Sequence, residues 1–328
     1  MAKPYISFII PTICSRSNIF DIIRDLEKFS NFQYEIIISY YQKKDSDESI
    51  CHGLKNINSN IIKVIESKSE SSGANRNTGA QHATGQFLCF IDDDITLDIS
   101  FFSYIDKSTL DNNCVYFPEI HNEIYLPYPL GDHVGGKSYV TACFIIATKQ
   151  FEAAGNMNKL LNIYREDSEF FIRCKKNGMA LKFMDNAFVN HPVRFIKWKT
   201  FKTIFLKQKY EPLFHKITSG NYCGVLKGNL YSTLPNRYGF SVVFYFIILL
   251  LITIILGVKF NLYIISALIS LYVFFSIFMT SLFIKLNRKL LKFKILKNLS
   301  ILAIYLLLMP ILFISRAIGS IKYKHFTI

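Results

Sequence analysis

Three consecutive carboxylates, Asp92-Asp93-Asp94, are the first candidates for chemistry in this sequence. They directly follow the apolar run Phe87–Ile91, so they stand at the end of a predicted buried strand. Adjacent like charges repel, and a divalent cation such as Mg²⁺ or Mn²⁺ would offset that repulsion. These ions prefer oxygen ligands and often take one or two protein carboxylates together with substrate phosphates. The alternative is a solvated turn before a helix that is capped by Asp98.

The segment SSGANRNTGAQHATGQ, residues 71–86, leads straight into the strand that bears the three aspartates. Its glycines at 73, 79 and 85 permit tight turns, because glycine tolerates backbone conformations that other residues avoid. Arg76 could reach a phosphate or a ribose. Alternatively, the glycines serve backbone geometry only, and Arg76 pairs with a surface acid.

The elements that must position these residues are short apolar runs separated by polar, helix-compatible stretches such as Ile19–Phe29. The predicted strands are Tyr5–Ile10, Tyr34–Ser39, Ile61–Ile65 and Phe87–Ile91. Continuous apolar strands that alternate with helices predict a largely parallel α/β sheet covered on both faces. Ligands of such sheets bind beyond the carboxyl ends of the strands. Pro11-Thr12, Ser39-Tyr40 and the three aspartates all fall at such ends.

Further along the chain, Val140–Ala147 and Ala180–Phe183 are predicted strands, and Ser168–Lys176 is a predicted helix that ends at Gly178. In order and spacing, the segments up to the three aspartates resemble the inverting family 2 glycosyltransferases with the GT-A nucleotide-sugar fold. The matching segments are Ile10-Pro11-Thr12, Gly73 to Gly79 with Arg76-Asn77, Ala83-Thr84-Gly85-Gln86-Phe87 and the D-x-D motif Asp92 to Asp94. The resemblance extends over roughly residues 5–193, through Thr141 to Phe144, Phe151 to Met157, Glu166-Asp167 and Ala187 to His191.

This resemblance implies roles for individual residues. Asp92 would lie near the nucleotide ribose or the metal, Asp94 would ligate the metal, and His191 would be a further ligand. Asp167 would be the catalytic base. The residues implied to contact the nucleotide sugar are Pro11, Thr12, Ser39, Gly73, Arg76, Asn77, Asp92 and Asp93. Asp93 is the middle position of the motif and is expected to tolerate substitution best.

Simpler interpretations exist for the later residues. Glu166 and Asp167 would also be favourable as acids in the first turn of a helix, and His191 could be an ordinary histidine at a strand end. The sequence departs from the family pattern after the second strand, where Ser39-Tyr40-Tyr41 stands in place of an acidic residue that reads the nucleotide base. The Q-x-x-R-W pattern of processive synthases is absent, which predicts one sugar transferred per encounter.

The implied reaction needs these residue types. The leaving group is a nucleoside diphosphate, and a divalent cation stabilises the negative charge that develops on it. A separate carboxylate must take the proton of the acceptor hydroxyl as it attacks the anomeric carbon from the opposite face, which inverts the configuration. Asp94 suits the first task and Asp167 the second.

Charge and hydrophobicity change sharply near residue 194. Residues 1–193 contain 19 Lys and Arg against 23 Asp and Glu, whereas residues 194–328 contain 19 against one. Residues 240–258 and 262–284 are uncharged apolar runs, long enough to cross a bilayer as helices. Residues 299–315 form a weaker third candidate that could instead lie in the membrane interface. Because positive charge beside apolar spans favours anionic lipid, nucleic acid is not an expected partner.

These patterns divide the chain into three predicted parts. They are a GT-A domain (1–193), a basic amphipathic segment on the membrane surface (194–238) and a helical transmembrane region (239–328). Six of the basic residues lie in the loop 285–297 after the second span, and by the positive-inside rule this places the loop and the GT-A domain in the cytoplasm. The predicted protein is thus a multi-pass membrane protein with a cytoplasmic catalytic domain.

The predicted function is transfer of one sugar from a nucleotide sugar to a hydroxyl or phosphate acceptor, using Mg²⁺ or Mn²⁺. A glycan or polyprenyl-linked acceptor in cell-surface polysaccharide or glycoconjugate assembly is expected, because the basic aromatic segment would keep the site at the bilayer. A polyprenyl-phosphate glycosyl donor synthase is the alternative within this class. A catalytically silent nucleotide-binding membrane scaffold is the alternative from a different class. A transporter is disfavoured, because the predicted spans lack ionisable residues.

Overall fold

The computed structural model describes the residue ranges 5–29, 32–44, 46–107, 110–121, 137–161, 165–192, 209–218 and 314–325. The chain forms two compact units. The described residues up to 192 belong to the first unit, and the ranges 209–218 and 314–325 belong to the second.

The first unit contains a mixed sheet with helices packed against it. Its strands are β1 (Ile6–Thr12), β2 (Tyr34–Tyr40), β3 (Ile62–Glu66), β4 (Phe87–Ile91), β5 (Thr96–Leu97), β6 (Cys114–His121), β7 (Cys143–Ala147) and β8 (Ala180–Asn190). Its helices are α1 (Asn18–Phe29), α2 (Glu48–Lys55), α3 (Ser72–Gln81), α4 (Ile99–Lys107), α5 (Thr148–Ala153) and α6 (Glu166–Lys176). The strand order in the sheet is β3-β2-β1-β4-β7-β6-β8-β5.

The half of the sheet formed by β3, β2, β1 and β4 is parallel, as the sequence predicts. Every residue of β1 and of β4 is buried, which explains why both read as continuous apolar runs. The carboxyl ends of β1, β2 and β4 therefore meet at one edge of the sheet, and the three aspartates follow β4 at that edge.

The other half departs from the predicted, mostly parallel sheet. Strand β7 runs antiparallel to both β4 and β6, and β5 runs antiparallel to β8, whereas β6 and β8 are parallel. The sequence could not reveal this difference, because β7 is buried along its whole length and a continuous apolar run fits a strand of either direction. The antiparallel pairing brings the start of β7 next to the three aspartates.

Helix α3 contains Gly73 and Gly79, where the sequence permits tight turns. Ser71 caps this helix by accepting a hydrogen bond from the backbone N–H of Ala74, and Gly79 lies in its last turn. A Cβ atom at Gly79 would overlap the side chain of Ile9 in β1. The glycine therefore allows close packing of the helix on the sheet and does not form a turn.

Other local predictions hold. Asp98 caps α4, because its Oδ1 accepts a 2.8 Å hydrogen bond from the N–H of Ser100. Helix α6 begins at Glu166, two residues before the predicted start, so Glu166 and Asp167 lie in its first turn. Strands β5 and β6 and helices α2 and α5 were not predicted.

In the second unit, the structure describes a helix at Glu211–Thr218 and helical residues at 314–323. No helix among the described residues is both long and apolar enough to cross a membrane. The predicted spans at 240–258 and 262–284, the third candidate up to residue 313, and most of the segment 194–238 lie outside the described residues.

Candidate active site

The three aspartates occupy a tight turn after β4. The N–H of Asp92 donates to the carbonyl of Ala142 just before β7, and the N–H of Ile95 donates back to the carbonyl of Asp92. Each of the three carboxylates has at least one positively charged or potentially charged neighbour, and Arg16 is shared by Asp93 and Asp94.

Asp92 is held by Arg76 of α3. The guanidinium of Arg76, which is 1% exposed, donates to Asp92 Oδ1, to Ser72 Oγ at 2.6 Å and to the carbonyl of Thr141 at 3.4 Å. Burial raises the pKa of Asp92, Arg76 opposes that rise, and the neighbouring carboxylates add to it. Because 26% of the Asp92 side chain stays exposed, it can still meet a ligand. Arg76, predicted to reach a phosphate or ribose, positions Asp92 in this structure.

Asp93 is fixed by β1 and the loop that follows it. The hydroxyl of Thr12 donates to Asp93 Oδ2 at 2.7 Å, and Arg16 Nη1 donates to Oδ1 at 2.6 Å. Asp93 is 5% exposed. These contacts argue against the expectation that Asp93 substitutes freely. They also give Thr12, predicted as a nucleotide contact, a positioning role towards the motif.

Asp94 faces His191, the residue that follows β8. The His191 Nε2 lies 3.7 Å from Asp94 Oδ1, and Arg16 Nη1 lies 3.2 Å from Asp94 Oδ2. The two residues meet because β5 pairs with the end of β8, where Thr96 is opposite Asn190. The two predicted metal ligands are therefore neighbours, although they are 97 positions apart in the sequence.

The tautomer of His191 suits a metal ligand. Its Nδ1 lies 2.9 Å from the carbonyl oxygen of Pro192, and because a carbonyl can only accept, Nδ1 carries the proton. In the neutral imidazole, which is the form that binds metals, Nε2 then carries the lone pair, and this nitrogen faces Asp94. Histidines that bind metals commonly donate their other N–H to a backbone carbonyl in this way.

The protein alone supplies only some of the ligands that a divalent cation needs. Asp94 and His191 supply an oxygen and a nitrogen donor, and Asp92 is nearby but bonded to Arg76. Among the described residues, no group of three or more acidic, histidine or cysteine side chains is arranged to hold a metal ion. A cation here would need ligands from a substrate, which is how Mg²⁺ is commonly bound with phosphates.

Asp167 lies apart from these contacts, in the first turn of α6. Its Oδ1 accepts hydrogen bonds from the N–H of Ser168 at 2.6 Å and from its hydroxyl at 3.2 Å. Oδ2 makes no hydrogen bond within the described part of the chain. The preceding Arg165 has a left-handed backbone (φ 58°), which turns the chain sharply into the helix. Asp167 is half-buried, so a partner outside the chain can reach it.

Residues 7–124, just over a third of the chain, match the sequence profile of the family described as Glycosyl transferase family 2. This part of the chain is therefore similar to family 2 glycosyltransferases, which supports the predicted enzyme class.

Relatives extend the comparison. Poly(ribitol-phosphate) beta-N-acetylglucosaminyltransferase TarS of Staphylococcus aureus is 26% identical over 122 residues, which is 37% of this chain and 20% of TarS. The match thus spans about a fifth of the relative's length. The structure of the mannosyltransferase PcManGT from Pyrobaculum calidifontis aligns with 99% of this chain and 89% of its own, with a TM-score of 0.58 and 11% identity. A TarS crystal structure aligns with 65% of this chain and 69% of its own, with a TM-score of 0.44 and 16% identity. The likeness to PcManGT supports a GT-A-like fold.

Asn77, a predicted nucleotide contact, is hydrogen-bonded within the first unit. Asn77 is 5% exposed. Its amide nitrogen donates to the carbonyl of Met157 at 2.9 Å, and its amide oxygen accepts from the N–H of Met157 at 2.9 Å. With both groups of the side chain engaged, Asn77 holds the turn after α5. Gly73, also a predicted contact, packs on Met157 from α3.

The same turn is held from the other side by Arg173 of α6. Arg173 forms a two-point ion pair with Glu169 at 2.7 and 2.8 Å and donates to the carbonyls of Ala154 and Asn156. The turn needs this support, because Gly155 and Asn156 both have positive φ angles, 82° and 59°. Arg173 therefore links the helix of Asp167 to the turn that α3 holds.

The two remaining predicted contacts lie below the site surface in the first unit. Pro11 is buried within β1. Ser39 is 0% exposed, and its Oγ lies beside Gly79 of α3 without a hydrogen-bond partner among the described residues. The position of Ser39 does not support a nucleotide contact. Because this position is buried, an acidic residue in place of Ser39 would be an unpaired buried charge, which is costly.

Sequence reasoning missed Arg16 and Arg173. Arg16 lies shortly after the end of β1, at the edge where ligands are expected, and that position was a usable signal. Arg173 follows Glu169 by four residues, which is the spacing of an ion pair on one helix face. Neither signal indicates that Arg16 pairs with Asp93, or that Arg173 donates to the carbonyls of the turn after α5, because these partners are distant in sequence.

Proposed function

We propose that this protein is an inverting glycosyltransferase that transfers one sugar from a nucleotide sugar to an acceptor at a membrane surface. The observation that carries this proposal is that two potential metal ligands, Asp94 Oδ1 and His191 Nε2, lie 3.7 Å apart beside the D-x-D turn. In a domain similar to family 2 glycosyltransferases, these ligands offer a place for a cation next to the leaving diphosphate.

Mg²⁺ or Mn²⁺ would be held by Asp94 and His191, with the phosphates of the donor as further ligands. When bound, the cation would stabilise the charge that develops on the leaving diphosphate. PcManGT, whose fold is similar, was solved with GDP-Man and Mn²⁺. That complex and the TarS likeness support a nucleotide-sugar donor here.

Other residues of the site position the three aspartates or accept the proton of the acceptor. Arg76 keeps Asp92 in place beneath the donor, and the exposed part of Asp92 faces the ribose or the cation. Thr12 and Arg16 hold the motif in its turn through Asp93. Asp167 takes the proton from the acceptor hydroxyl through Oδ2, while Ser168 fixes Oδ1. Attack from the face opposite the diphosphate inverts the anomeric centre.

The acceptor is a lipid-linked glycan in cell-surface polysaccharide or glycoconjugate assembly. Support comes from the composition of residues 194–328, with 19 basic residues and one acid beside long apolar runs. These features favour an anionic bilayer, with the glycosyltransferase domain in the cytoplasm. A polyprenyl-phosphate acceptor is the second candidate, which would make the protein a glycosyl donor synthase.

The two acceptors differ in their need for Asp167. A hydroxyl must lose a proton as it attacks, whereas a phosphate oxygen is already ionised near neutral pH. Loss of the base therefore abolishes transfer to a hydroxyl and spares transfer to a phosphate. A silent scaffold would bind nucleotide and turn over neither acceptor.

The test is an assay of membrane fractions with a panel of nucleotide sugars and lipid-linked acceptors. It compares the wild type with Asp94→Asn and Asp167→Asn, and uses Asp185→Asn, the same change at an exposed carboxylate, as the control. We expect both site variants to lose turnover by about 10²-fold or more, and Asp185→Asn to retain it. Turnover that both site variants preserve would refute the assignment, and insensitivity to chelators would remove the cation.

A further inference from the structure

The helical residues 314–323 have an inverted distribution of polarity. Ser315, Arg316 and Ser320 are 0%, 4% and 3% exposed, whereas Ile314, Ile318 and Ile321 are 53%, 43% and 71% exposed. A helix of a water-soluble surface normally has the opposite pattern, with its apolar stripe facing the core. The three isoleucines follow the i, i+4, i+7 spacing, so they share one face.

The polar side is buried because it packs on the chain around Glu211–Thr218, within the same unit. The backbone of Gly319 approaches the carbonyl of Lys209 so closely that a Cβ atom would overlap it. Arg316 Nη2 lies 4.0 Å from Glu211 Oε1, and Lys216 Nζ donates to the carbonyl of Tyr323 at 3.1 Å. These contacts fix the rotation of the helix, and the isoleucine face is left pointing outward.

Exposure of this face to water is unfavourable. Fully burying one isoleucine side chain contributes about 1.5–3 kcal/mol relative to leaving it in water. Single exposed apolar residues are common on protein surfaces, but three on one face, opposite buried serines and an arginine, require an apolar environment. The occupant of that face must therefore offer apolar groups.

The charged residues near the isoleucine face indicate which apolar environment covers it. Glu211, the single acid among residues 194–328, is 1% exposed and lies beside Arg316 and His215. In the described ranges 209–218 and 314–325, the exposed charged side chains are accordingly all basic, namely Lys216, Lys322 and Lys324. An apolar face bordered by lysines complements the interface of an anionic bilayer.

We propose that the face formed by Ile314, Ile318 and Ile321 lies in the acyl and headgroup boundary of an anionic bilayer, with Lys322 and Lys324 at the lipid phosphates. This proposal rests on the membrane association proposed above, but not on sugar transfer. A second copy of the chain is a less suitable occupant, because two strongly basic segments would repel each other.

Tryptophan fluorescence in the full-length protein tests the proposal. The chain has one tryptophan, Trp198, so a Trp198→Phe background allows a single new probe. Ile321→Trp places the probe on the isoleucine face, and Lys322→Trp places it one residue on, about 100° around the helix. Both variants are reconstituted into vesicles of phosphatidylcholine and phosphatidylglycerol in which the acyl chains are brominated, since bromine quenches tryptophan that enters the acyl region.

We expect quenching at position 321 to exceed that at position 322 by about twofold or more, and to fall when phosphatidylglycerol is omitted. Equal quenching at the two positions would overturn the proposal, as would none at 321. If the protein sediments with vesicles while position 321 is not quenched, membrane association stands and this face is excluded. An emission shift at 321 that depends on protein concentration without lipid would show a protein partner instead.

Discussion

Arg16 Nη1 lies 2.6 Å from Asp93 Oδ1, so a residue of the loop after β1 holds the middle acid of the D-x-D turn. The same atom lies 3.2 Å from Asp94 Oδ2. A positive charge of the protein therefore occupies one side of the carboxylate that is proposed to hold a cation. The Arg16 side chain is 39% exposed, so solvent partly screens it.

Replacing Arg16 with glutamine is expected to tighten Mn²⁺ binding in the absence of nucleotide by roughly fivefold. The reason is loss of about 1 kcal/mol of repulsion between two cations a few ångströms apart at a half-exposed site. Free Mn²⁺ measured by electron paramagnetic resonance gives the affinity. Arg24→Gln is the control, because Arg24 pairs with an exposed acid on α1. Weaker Mn²⁺ binding by Arg16→Gln would mean that Arg16 mainly orients Asp94.

Asp93→Asn is expected to lower the free energy of unfolding by about 1–2 kcal/mol, because a buried carboxylate loses its ion pair with Arg16. Urea unfolding measures this value, and Asp185→Asn provides the same change at an exposed position. Thr12→Val, alone and combined with Asp93→Asn, completes a double-mutant cycle on the 2.7 Å hydrogen bond. If Asp93→Asn unfolds like the wild type, the middle position is freely variable after all.

Asn77→Asp is expected to loosen the turn around Met157. A carboxylate can accept from the N–H of Met157 but cannot donate to its carbonyl, so one of two buried hydrogen bonds becomes a repulsion. We expect a loss of about 1–3 kcal/mol of stability and faster hydrogen exchange at the Met157 amide. Asn56→Asp, at an exposed site on the C-cap of α2, should leave that amide unchanged. Unaltered exchange in Asn77→Asp would show that Arg173 suffices to hold the turn.

Glu35 at the start of β2 should make the free energy of unfolding depend on pH in the acidic range. Burial favours a higher pKa for Glu35, but hydrogen bonds from Lys63, Ser7 and Thr84 outweigh it and lower the pKa below its ordinary value of 4.5. A lowered folded-state pKa contributes stability above the unfolded-state pKa, and this contribution is lost as pH falls through the folded-state value.

Urea unfolding over a series of pH values tests this expectation. Glu35→Gln should be less stable than the wild type at neutral pH by about 1–3 kcal/mol, and the difference should shrink below pH 4.5, where the wild type loses the contribution. Glu27→Gln, on the exposed side of α1, is the control. A difference that stays constant with pH would assign the loss to packing and not to the charge of Glu35.

The sequence predicted the elements whose signal is local. The continuous apolar runs of β1, β2 and β4 predicted that these strands are buried. The ends of these runs in turn predicted the edge of the sheet where the three aspartates lie. Asp98 was recognisable as a cap because capping involves only neighbouring residues. Asp94 and His191 were predicted together only through the family resemblance.

Directions of strands and of side chains could not be predicted in the same way. Arg76 and Asn77 lie in the segment implied to bind the donor, but they point to Asp92 and Met157, whose positions depend on packing between distant segments. Gly79 suggested a turn by its type, whereas close packing on Ile9 is what requires it. Each of these outcomes depends on which surfaces meet, and a single sequence does not record that.

The antiparallel strand β7 limits how far the protein can be shortened. The family 2 match ends at residue 124, but β7 lies between β4 and β6 in the sheet. A fragment cut at residue 124 would leave β4 as a bare edge, which invites aggregation. It would also lack the Thr141 carbonyl that receives Arg76 and the imidazole of His191. Any expressed version intended to bind a donor must therefore extend at least to the end of β8 and His191.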